Sequence, residues 1–206
     1  MTDAGARSAL YRLLAGLFAA EPTIEILGGL REPRLRAALR AAGATLDEAL
    51  AGRLDAELAR GLAVEYAALF LGPGPHVALT ASPHLDGAAG GLRGPATPRL
   101  EAFLREAGFD LRPDYRDHPD HISVALEFMG ALTEAEARAE EEGDRGETSR
   151  QRSLQRRFIE AFLEDWAVSL AEGVARRSPA TFYGPLVGLL ARFVRSERKA
   201  LATAAR

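Results

Sequence analysis

Cysteine is absent from this chain of 206 residues. Without a thiol the protein has no disulfide, no thiolate ligand for zinc or an iron–sulfur cluster, and no cysteine nucleophile. Also missing is a run of roughly 18 apolar residues, which is the length that a membrane-spanning helix needs. The N-terminal residues Met1 to Arg12 are mixed and polar, without the apolar core of a signal peptide. We therefore expect a cytoplasmic protein with no stable membrane insertion.

The sequence also lacks an excess of positive charge. The formal net charge is −3, and no segment concentrates basic residues in the way that binding to a phosphate backbone requires. Nucleic acid is therefore not an expected partner. With 47% hydrophobic and 27% charged residues, the composition is that of an ordinary globular protein, and the chain is long enough to bury a substantial core.

Apolar residues recur three or four positions apart along much of the chain, which is typical of helices with one buried face. The first such face consists of Leu10, Leu13, Leu14, Leu17 and Phe18. A short helix follows Pro33 and is expected to stop near Gly43. Thr45 and Glu48 then match a capping box, and the leucines that follow predict one long helix from Leu46 to Phe70.

Residues 72–97 interrupt this periodicity with repeated glycines and prolines. Irregular segments longer than about 12–15 residues are uncommon inside a compact domain and are often functional. This segment is therefore a candidate binding element. The glycines and prolines at 72–75 lack the strand and the lysine of a phosphate-binding loop, so they predict a helix stop and a rigid turn.

The second half of the chain predicts further helices. Thr97 is a candidate cap for a short helix that ends near Gly108, and Pro119 is expected to open a helix with apolar residues on two faces, which indicates burial on both sides. A charged stretch at 134–142 indicates a solvated helix end. A flexible joint near 143–149 and the pair Ser178 and Pro179 precede the last helices.

The predicted fold is therefore all-α, because no segment shows the alternating pattern of a strand. We expect a single-domain helical bundle over residues 1–206, with a long irregular loop and a hinge near 143–149. Such a hinge permits exchange of the C-terminal helices between two chains. Monomer and domain-swapped dimer both remain open.

The segment Asp117 to His121 contains two of the four histidines and two aspartates. Histidines and carboxylates at this spacing predict either a metal site with acid/base chemistry or a structural cluster at a helix start. In the structural interpretation Asp120 lies in the first helical turn. A third strong metal ligand is not in sight, and the His-Asp dipeptide of metal phosphohydrolases is absent. A metal-dependent enzyme that uses this cluster remains the alternative hypothesis.

The end of the predicted long helix allows two interpretations. Glu65-Tyr66 and Leu69-Phe70 read as core residues with a polar partner, which is the usual explanation for an apolar helical face. Beside an irregular loop they equally predict the lining of a groove that receives a partner helix. The pattern by itself does not choose between these interpretations.

Two segments resemble a known family. Glu65-Tyr66-Ala67-Ala68-Leu69-Phe70-Leu71-Gly72-Pro73 is similar to the E-Y-x-x-L-F-x-G-P signature of the TorD/DmsD/NarJ redox-enzyme maturation chaperones. Asp120-His121-Ile122 through Leu126-Glu127-Phe128-Met129 is similar to that family's D-H-I-x-x-x-L-E-F-M helix. Gly94 with Thr97 also resembles its G-x-x-T element, and the resemblance extends over roughly Leu10 to Phe193.

The resemblance implies a TorD-like, non-enzymatic, all-helical chaperone without a cofactor or a bound metal. Its expected partner is the N-terminal signal or leader peptide of a molybdopterin-containing oxidoreductase subunit, which it would assist in cofactor insertion, assembly and export proofreading. By similarity the peptide-binding residues are Tyr66, Leu69, Phe70, Gly72, Pro73, Ser82, Gly94, Asp120 and His121. The client enzyme is not identified by the resemblance.

Overall fold

The computed structural model describes residues 3–71, 76–87, 91, 93–110, 118–177 and 181–203. Its helices are α1 (Asp3–Ala19), α2 (Ile24–Leu30), α3 (Pro33–Ala41), α4 (Ala56–Tyr66), α5 (Ser82–Leu85), α6 (Ala96–Glu106), α7 (Ile122–Glu142), α8 (Arg145–Phe158), α9 (Glu164–Ala175) and α10 (Tyr183–Thr203). Wider π-helical turns extend α4 over Ala67–Leu71 and join α8 to α9 over Ile159–Leu163. Strand pairing in these residues is limited to one isolated bridge, so the all-α prediction is confirmed.

The chain divides into two compact units. The first contains Met1–Ala19, Leu79–Trp166 and Val194–Arg206, and the second contains Ala20–Ala78 and Ala167–Phe193. Helices α9 and α10 therefore contribute residues to both. No helix among the described residues is long and apolar enough to cross a membrane.

Helix α7 forms the centre of the first unit, because most of its residues from Ile122 to Ala139 are buried. This confirms the burial predicted from its two apolar faces. Helix α1 packs closely on α7 where Gly130 has no side chain: a Cβ there would lie 3.0 Å from Arg12 Cγ. The Ser8 hydroxyl donates to the Gly130 carbonyl at 2.9 Å. On another side, Phe128 contacts the ring of Phe158 at 4.8 Å between centroids.

A buried ionic network joins α1, α7, α8 and α10 in the first unit. Arg7 donates to Glu197 Oε2 at 2.6 Å and to Glu136 Oε2 at 3.0 Å, and Arg152 donates to Glu136 Oε1 at 2.6 Å. Gln155 Nε2 donates a third hydrogen bond to Glu136, at 2.8 Å. Glu136 is 1% exposed, so the prediction that the charged stretch 134–142 is a solvated helix end is wrong at this residue.

The second unit includes helices α2 to α4. Arg36 and Arg40 of α3 both pair with Asp47. Helix α3 ends as predicted: Gly43 has φ +81°, and Arg192 donates to its carbonyl at 2.8 Å. Helix α2, which follows its cap Thr23, was not predicted from the sequence.

The long helix predicted from Leu46 to Phe70 is interrupted. Leu50 N donates to the Leu46 carbonyl at 2.9 Å, but this is a single turn, because Gly52 adopts φ +81° and the chain leaves helical geometry. Asp55, rather than the predicted Thr45 and Glu48 box, caps α4 by accepting from Glu57 N and Leu58 N at 3.1 Å. An aspartate side chain that bonds nearby backbone amides favours a helix start over a helix interior.

Two other predicted helix starts are also shifted. Helix α6 begins at Ala96, so Thr97 lies inside its first turn, and the carboxylate of Asp86 accepts from Ala96 N at 2.7 Å. Helix α7 begins at Ile122, so Asp120 precedes the helix instead of lying in its first turn. The predicted start at Ser178 and Pro179 lies outside the described residues.

Candidate functional site

A short backbone pairing brings the irregular segment to the start of α7. Ile122 N donates to the Leu79 carbonyl at 2.7 Å, and Ala81 N donates to the Asp120 carbonyl at 2.9 Å. These bonds form an antiparallel bridge between Thr80 and His121. Ser82, which starts the short helix α5, is thereby held close to Asp120.

Three polar side chains form what we call the Asp120 cluster, namely Ser82, Thr97 and Asp120. The Thr97 hydroxyl donates to Asp120 Oδ2 at 2.7 Å, and the two hydroxyl oxygens of Thr97 and Ser82 are 2.9 Å apart. Because Thr97 gives its only proton to Asp120, Ser82 is the donor to Thr97. Ser82 Oγ in turn accepts from Gly94 N at 3.0 Å. The structure therefore assembles three of the predicted site residues around Thr97.

The Asp120 side chain is fully buried, with 0% exposure. Its Oδ1 atom has no hydrogen-bond partner among the described residues. A buried polar atom without a partner costs about 1–3 kcal/mol, so Oδ1 is an acceptor that a donor would satisfy with a gain in free energy. A contact between Asp120 and a peptide requires the segment that covers it to move.

His121 is the N-cap residue of α7. Its Nδ1 atom accepts from Ser123 N at 3.2 Å and lies 2.7 Å from Ser123 Oγ. Because Nδ1 must offer a lone pair to the backbone amide, the proton of the neutral ring is on Nε2. His121 is 7% exposed, so its ring is part of the helix start as well as a neighbour of Asp120.

The described part of the Asp117 to His121 segment does not form a metal centre. No group of three or more histidine, aspartate or glutamate side chains among the described residues is arranged to hold a metal ion. Asp117 lies outside the described residues. Of the two histidines, His118 is half-buried and His121 is engaged by Ser123.

Tyr66, Leu69 and Phe70 lie on the inner side of α4 and its π-helical extension, and each is 4% exposed. Tyr66 and Phe70 pack against Tyr183 of α10, with ring centroids 5.5 Å and 5.2 Å away. Burial raises the pKa of Tyr183 well above its usual value, and the nearby Tyr66 and Glu65 raise it further. The core interpretation therefore describes these three residues in this structure.

Glu65 has a defined role that sequence reasoning missed. Its Oε1 atom accepts from Tyr183 N at 3.0 Å and from Phe182 N at 3.2 Å, and the Thr181 hydroxyl donates to Oε2 at 3.4 Å. The carboxylate thus satisfies amides at the start of α10, where a negative charge is favoured by the helix dipole. The E-Y-x-x-L-F-x-G-P motif could have indicated this role, because Glu65 is the only acidic residue in that motif.

The outer side of the same helical segment is apolar and exposed. Gly61, Val64, Ala68 and Leu71 recur three or four residues apart and all face solvent. Val64 is 63% exposed and Leu71 is 62% exposed. We call these four residues the α4 stripe. Large exposed apolar side chains that are grouped on one helix mark an interaction surface more often than isolated ones do.

The predicted site residues therefore fall into two groups. Tyr66, Leu69 and Phe70 belong to the second unit, whereas Ser82, Gly94, Asp120 and His121 belong to the first. The two remaining predicted residues, Gly72 and Pro73, lie outside the described residues.

Comparisons with known proteins give a consistent result. The sequence model of the family described as nitrate reductase delta subunit matches residues 32–172. The chain is 29% identical to the chaperone protein TorD of Shewanella loihica (strain ATCC BAA-1088 / PV-4), over 95% of this chain and 93% of that protein. It is 30% identical to the chaperone protein TorD of Psychrobacter sp. (strain PRwf-1), over 95% of this chain and 91% of that protein.

The fold also matches a solved structure. A crystal structure from Archaeoglobus fulgidus, provisionally assigned as a redox enzyme maturation protein, aligns with a TM-score of 0.50 and 24% sequence identity. The alignment covers 95% of this chain and 93% of that chain. At this identity the likeness supports the all-helical fold alone.

Proposed function

The chain belongs to the nitrate reductase delta subunit family, whose relatives matched here are named as chaperones rather than enzymes, and on that premise we propose that it binds the N-terminal leader peptide of a molybdopterin-containing oxidoreductase subunit. The resemblance to TorD/DmsD/NarJ proteins found in the two motifs is confirmed by these matches. In the proposal the protein acts in the cytoplasm. It holds the leader during cofactor insertion and assembly, and it delays export of an incomplete client.

The α4 stripe is the observation that carries the peptide-binding proposal. Val64 and Leu71 expose about two thirds of their side chains on the segment that contains the family motif. A leader peptide joins a basic region to an apolar helical stretch, and an apolar helix binds to apolar surface through residues spaced three or four apart. Gly61 and Ala68, which lie on either side of Val64 along the stripe, have little or no side chain, so a partner helix can approach the backbone there.

In the proposal, Tyr66, Leu69 and Phe70 anchor the opposite, buried side of the helical segment that carries the α4 stripe. They are buried, and the ring of Tyr66 lies 5.1 Å from that of Phe70. Their packing fixes the direction of the helix that presents the α4 stripe. The predicted contribution of Gly72 and Pro73 to peptide binding stays a prediction.

The Asp120 cluster has a separate role in the proposal. The Oδ1 atom of Asp120 is a buried acceptor without a partner among the described residues, and the basic region of a leader supplies guanidinium donors. A charge-assisted hydrogen bond of this kind is roughly twice as strong as a neutral one. Because Asp120 is fully buried and His121 is 7% exposed, contact with that donor would require a local opening of the structure around them.

Isothermal titration of the purified protein with synthetic leader peptides from the molybdoenzymes of its own genome tests the proposal. We expect saturable one-to-one binding to one leader. The variant Val64→Gln/Leu71→Gln should weaken this binding at least tenfold, because two apolar side chains lose the apolar partner surface. Ile24→Gln is the matched control, since Ile24 is also an exposed large apolar residue, 44% exposed, but lies on α2.

The Asp120→Ala/His121→Ala variant tests the second group of residues. It should weaken binding to the leader and leave the far-ultraviolet circular dichroism spectrum unchanged. A large drop in melting temperature with unchanged binding by the folded protein would show that this pair is structural. Absence of binding by any leader to the folded wild-type protein would contradict the leader-binding proposal as a whole.

A further inference from the structure

Helix α8 contains five arginines, and three of them are engaged within the protein. Arg150 pairs with Glu147 at 2.9 Å. The guanidinium carbon of Arg157 lies 5.2 Å from the ring centre of Phe103, in a cation–π contact. Arg152 pairs with two carboxylates of α7, both at 2.6 Å. These three guanidinium groups therefore have little charge left for a further partner.

The two other arginines of α8, Arg145 and Arg156, are here called the end arginines because they lie in its first and last turns. Neither forms an ion pair in the part of the chain that the structure describes. Arg145 is exposed at the start of the helix, where the helix dipole disfavours positive charge. The adjacent Asp144 does not neutralise it, because its carboxylate caps α8 by accepting from Glu147 N at 2.9 Å. An incoming carboxylate would supply the missing counter-charge.

Both end arginines line a cleft of about 570 Å³ between α8 and the end of α7. Between them the α8 side of the cleft carries Arg152 and three hydroxyl residues, namely Thr148, Ser149 and Ser153. The opposite side consists of Ala139 and Glu140 of α7 and Leu201 of α10. All of these residues belong to the first unit. The cleft is therefore a single surface of that unit, with arginine at both ends.

The charge along this cleft is concentrated at its ends. The end arginines are eleven residues apart, or about 16 Å along the helix axis. Arg152 lies between them, but Glu136 and Glu140 already hold it. The middle of the cleft also includes the apolar Ala139 and Leu201. A compact anion would reach only one end arginine, whereas an elongated partner would reach both.

We propose that this cleft binds an extended acidic segment of a partner protein, with carboxylates at both ends of the segment and apolar residues between them. An extended chain advances about 3.3 Å per residue, so carboxylates about five residues apart match the end arginines. Each guanidinium group donates two parallel hydrogen bonds to a carboxylate. The exposed hydroxyls of Ser149 and Ser153 are additional donors to the backbone carbonyls of the segment.

This complementarity of charge gives the cleft a partner of opposite sign from the basic region of a leader peptide. The acidic segment does not use the α4 stripe or the Asp120 cluster. The two proposals therefore stand or fall separately.

Fluorescence anisotropy of the full chain with the labelled peptide Glu-Glu-Leu-Ala-Leu-Glu-Glu tests the inference. Saturable one-to-one binding is expected, and it should weaken as salt is added because the contacts are ionic. Glutamine in place of every glutamate should abolish binding. The peptide Leu-Glu-Glu-Glu-Glu-Ala-Leu has the same composition, but its carboxylates lie too close together to reach both end arginines. It should bind at least about threefold more weakly.

Arg145→Gln/Arg156→Gln should weaken binding of the first peptide about tenfold or more, because both ends of the cleft lose a charged donor. Arg150→Gln/Arg157→Gln is the matched control. It removes the same charge from the same helix outside the cleft and should change the affinity less than about twofold. If the first double variant does not fold, the single variant Arg145→Gln replaces it, since this side chain is exposed. The single variant should still weaken binding about threefold.

Four results would overturn the inference. The first is the absence of saturable binding by the acidic peptide, and the second is an equal loss of affinity in both double variants. The third is equal affinity for the two acidic peptides, which would reduce the cleft to a basic surface without a preferred spacing. The fourth is tighter binding of inorganic tripolyphosphate than of the first peptide at the same ionic strength, which would assign the cleft to a phosphorylated compound.

Discussion

The most informative residues of the two family motifs are two carboxylates, the half-buried Glu65 and the buried Asp120. Glu65 accepts hydrogen bonds from the first amides of α10, and Asp120 accepts from Thr97 at the entrance of α7. Each carboxylate lies where chain segments distant in sequence meet. Their replacement is therefore expected to change the free energy of unfolding as well as any binding.

Replacement of Glu65 tests its capping role. Glu65→Ala removes both acceptors at the start of α10 and should lower the free energy of unfolding by about 0.5–2 kcal/mol, as loss of a helix cap does. Glu65→Gln keeps one acceptor oxygen and should cost less. Urea denaturation followed by circular dichroism measures both. Glu172→Ala is the control, because the Glu172 side chain in the last turn of α9 forms, among the described residues, only an exposed pair with Arg176 just after that helix. If Glu65→Ala costs no more than this control, the capping role is refuted.

Replacement of Thr97 tests the Asp120 cluster. Thr97→Val keeps the shape of the side chain but removes the only hydroxyl that donates to Asp120 Oδ2 among the described residues. The free energy of unfolding should fall by about 1–3 kcal/mol, because a buried carboxyl loses its partner. Thr97→Ser retains the hydroxyl and should restore most of this stability. Equal melting temperatures for the valine and serine variants would contradict the assigned hydrogen bond.

At the scale of elements, ion pairs and hydrogen bonds to Glu136 connect three helices of the first unit. Glu136 of α7 accepts from Arg7 of α1 and from Arg152 and Gln155 of α8. Burial raises the pKa of Glu136, but the hydrogen bonds from Arg152 and Gln155 and the charge of Arg7 outweigh burial, so its pKa lies below the usual value. Burial also raises the pKa of Glu197, and Arg7 offsets this only in part.

The low pKa of Glu136 predicts a dependence of stability on pH. A carboxylate with a lowered pKa in the folded state stabilises the fold above its unfolded pKa of about 4.3, and this contribution is lost as the pH falls through the folded pKa. Glu136→Gln should therefore lower the free energy of unfolding at pH 7 by about 1–3 kcal/mol, because the largely buried Arg7 and the partly exposed Arg152 lose a charged acceptor.

Urea unfolding of the wild type and Glu136→Gln from pH 7 to pH 3 measures this dependence. The difference between the two proteins should shrink as the solution becomes acidic. Glu134→Gln is the matched control on the same helix, because its side chain is 50% exposed in its pair with Arg12, and its effect should be within about 1 kcal/mol. A difference for Glu136→Gln that is independent of pH would exclude an ionised Glu136 as the source of the stability.

At the scale of the whole molecule, the connection between α7 and α8 is the predicted hinge for exchange of the C-terminal helices in a domain-swapped dimer. Gly143 and Asp144 alone separate the two helices, and Gly143 adopts φ +74°. The hinge near 143–149 stays a prediction, and most of that range belongs to α8 in this structure. One route to exchange between two chains is for α7 and α8 to merge into one continuous helix, which would remove the left-handed conformation at Gly143.

Gly143→Ala should shift the protein towards the dimer. A Cβ at position 143 meets no atom within 4 Å, so the cost comes from the left-handed backbone, which alanine disfavours and a continuous helix avoids. Sedimentation over a wide concentration range should show more dimer for Gly143→Ala than for the wild type. Gly146→Ala is the control inside α8. Only monomer for both proteins at every concentration would remove the support for domain swapping.

Much of the fold was predictable because local sequence controls where helices form. The apolar spacing predicted α1, the turn after α3 at Gly43, the end of α6 near Gly108 and the buried α7. Glycine at a left-handed position is a local requirement, so its consequences are readable from the sequence. The break at Gly52 shows the limit of this rule, because the leucines on both sides continue the helical spacing and only the cap at Asp55 shows where α4 begins.

By itself, the sequence determined the all-helical class, the chemistry that a chain without cysteine cannot perform, and the family. It did so because helical periodicity, composition and the two motifs are properties of neighbouring residues. The tertiary structure alone decided that Tyr66 and Phe70 are buried while Val64 and Leu71 are exposed, and that Glu65 caps α10. These outcomes depend on which distant segment covers each side chain, and spacing along the chain does not encode that information.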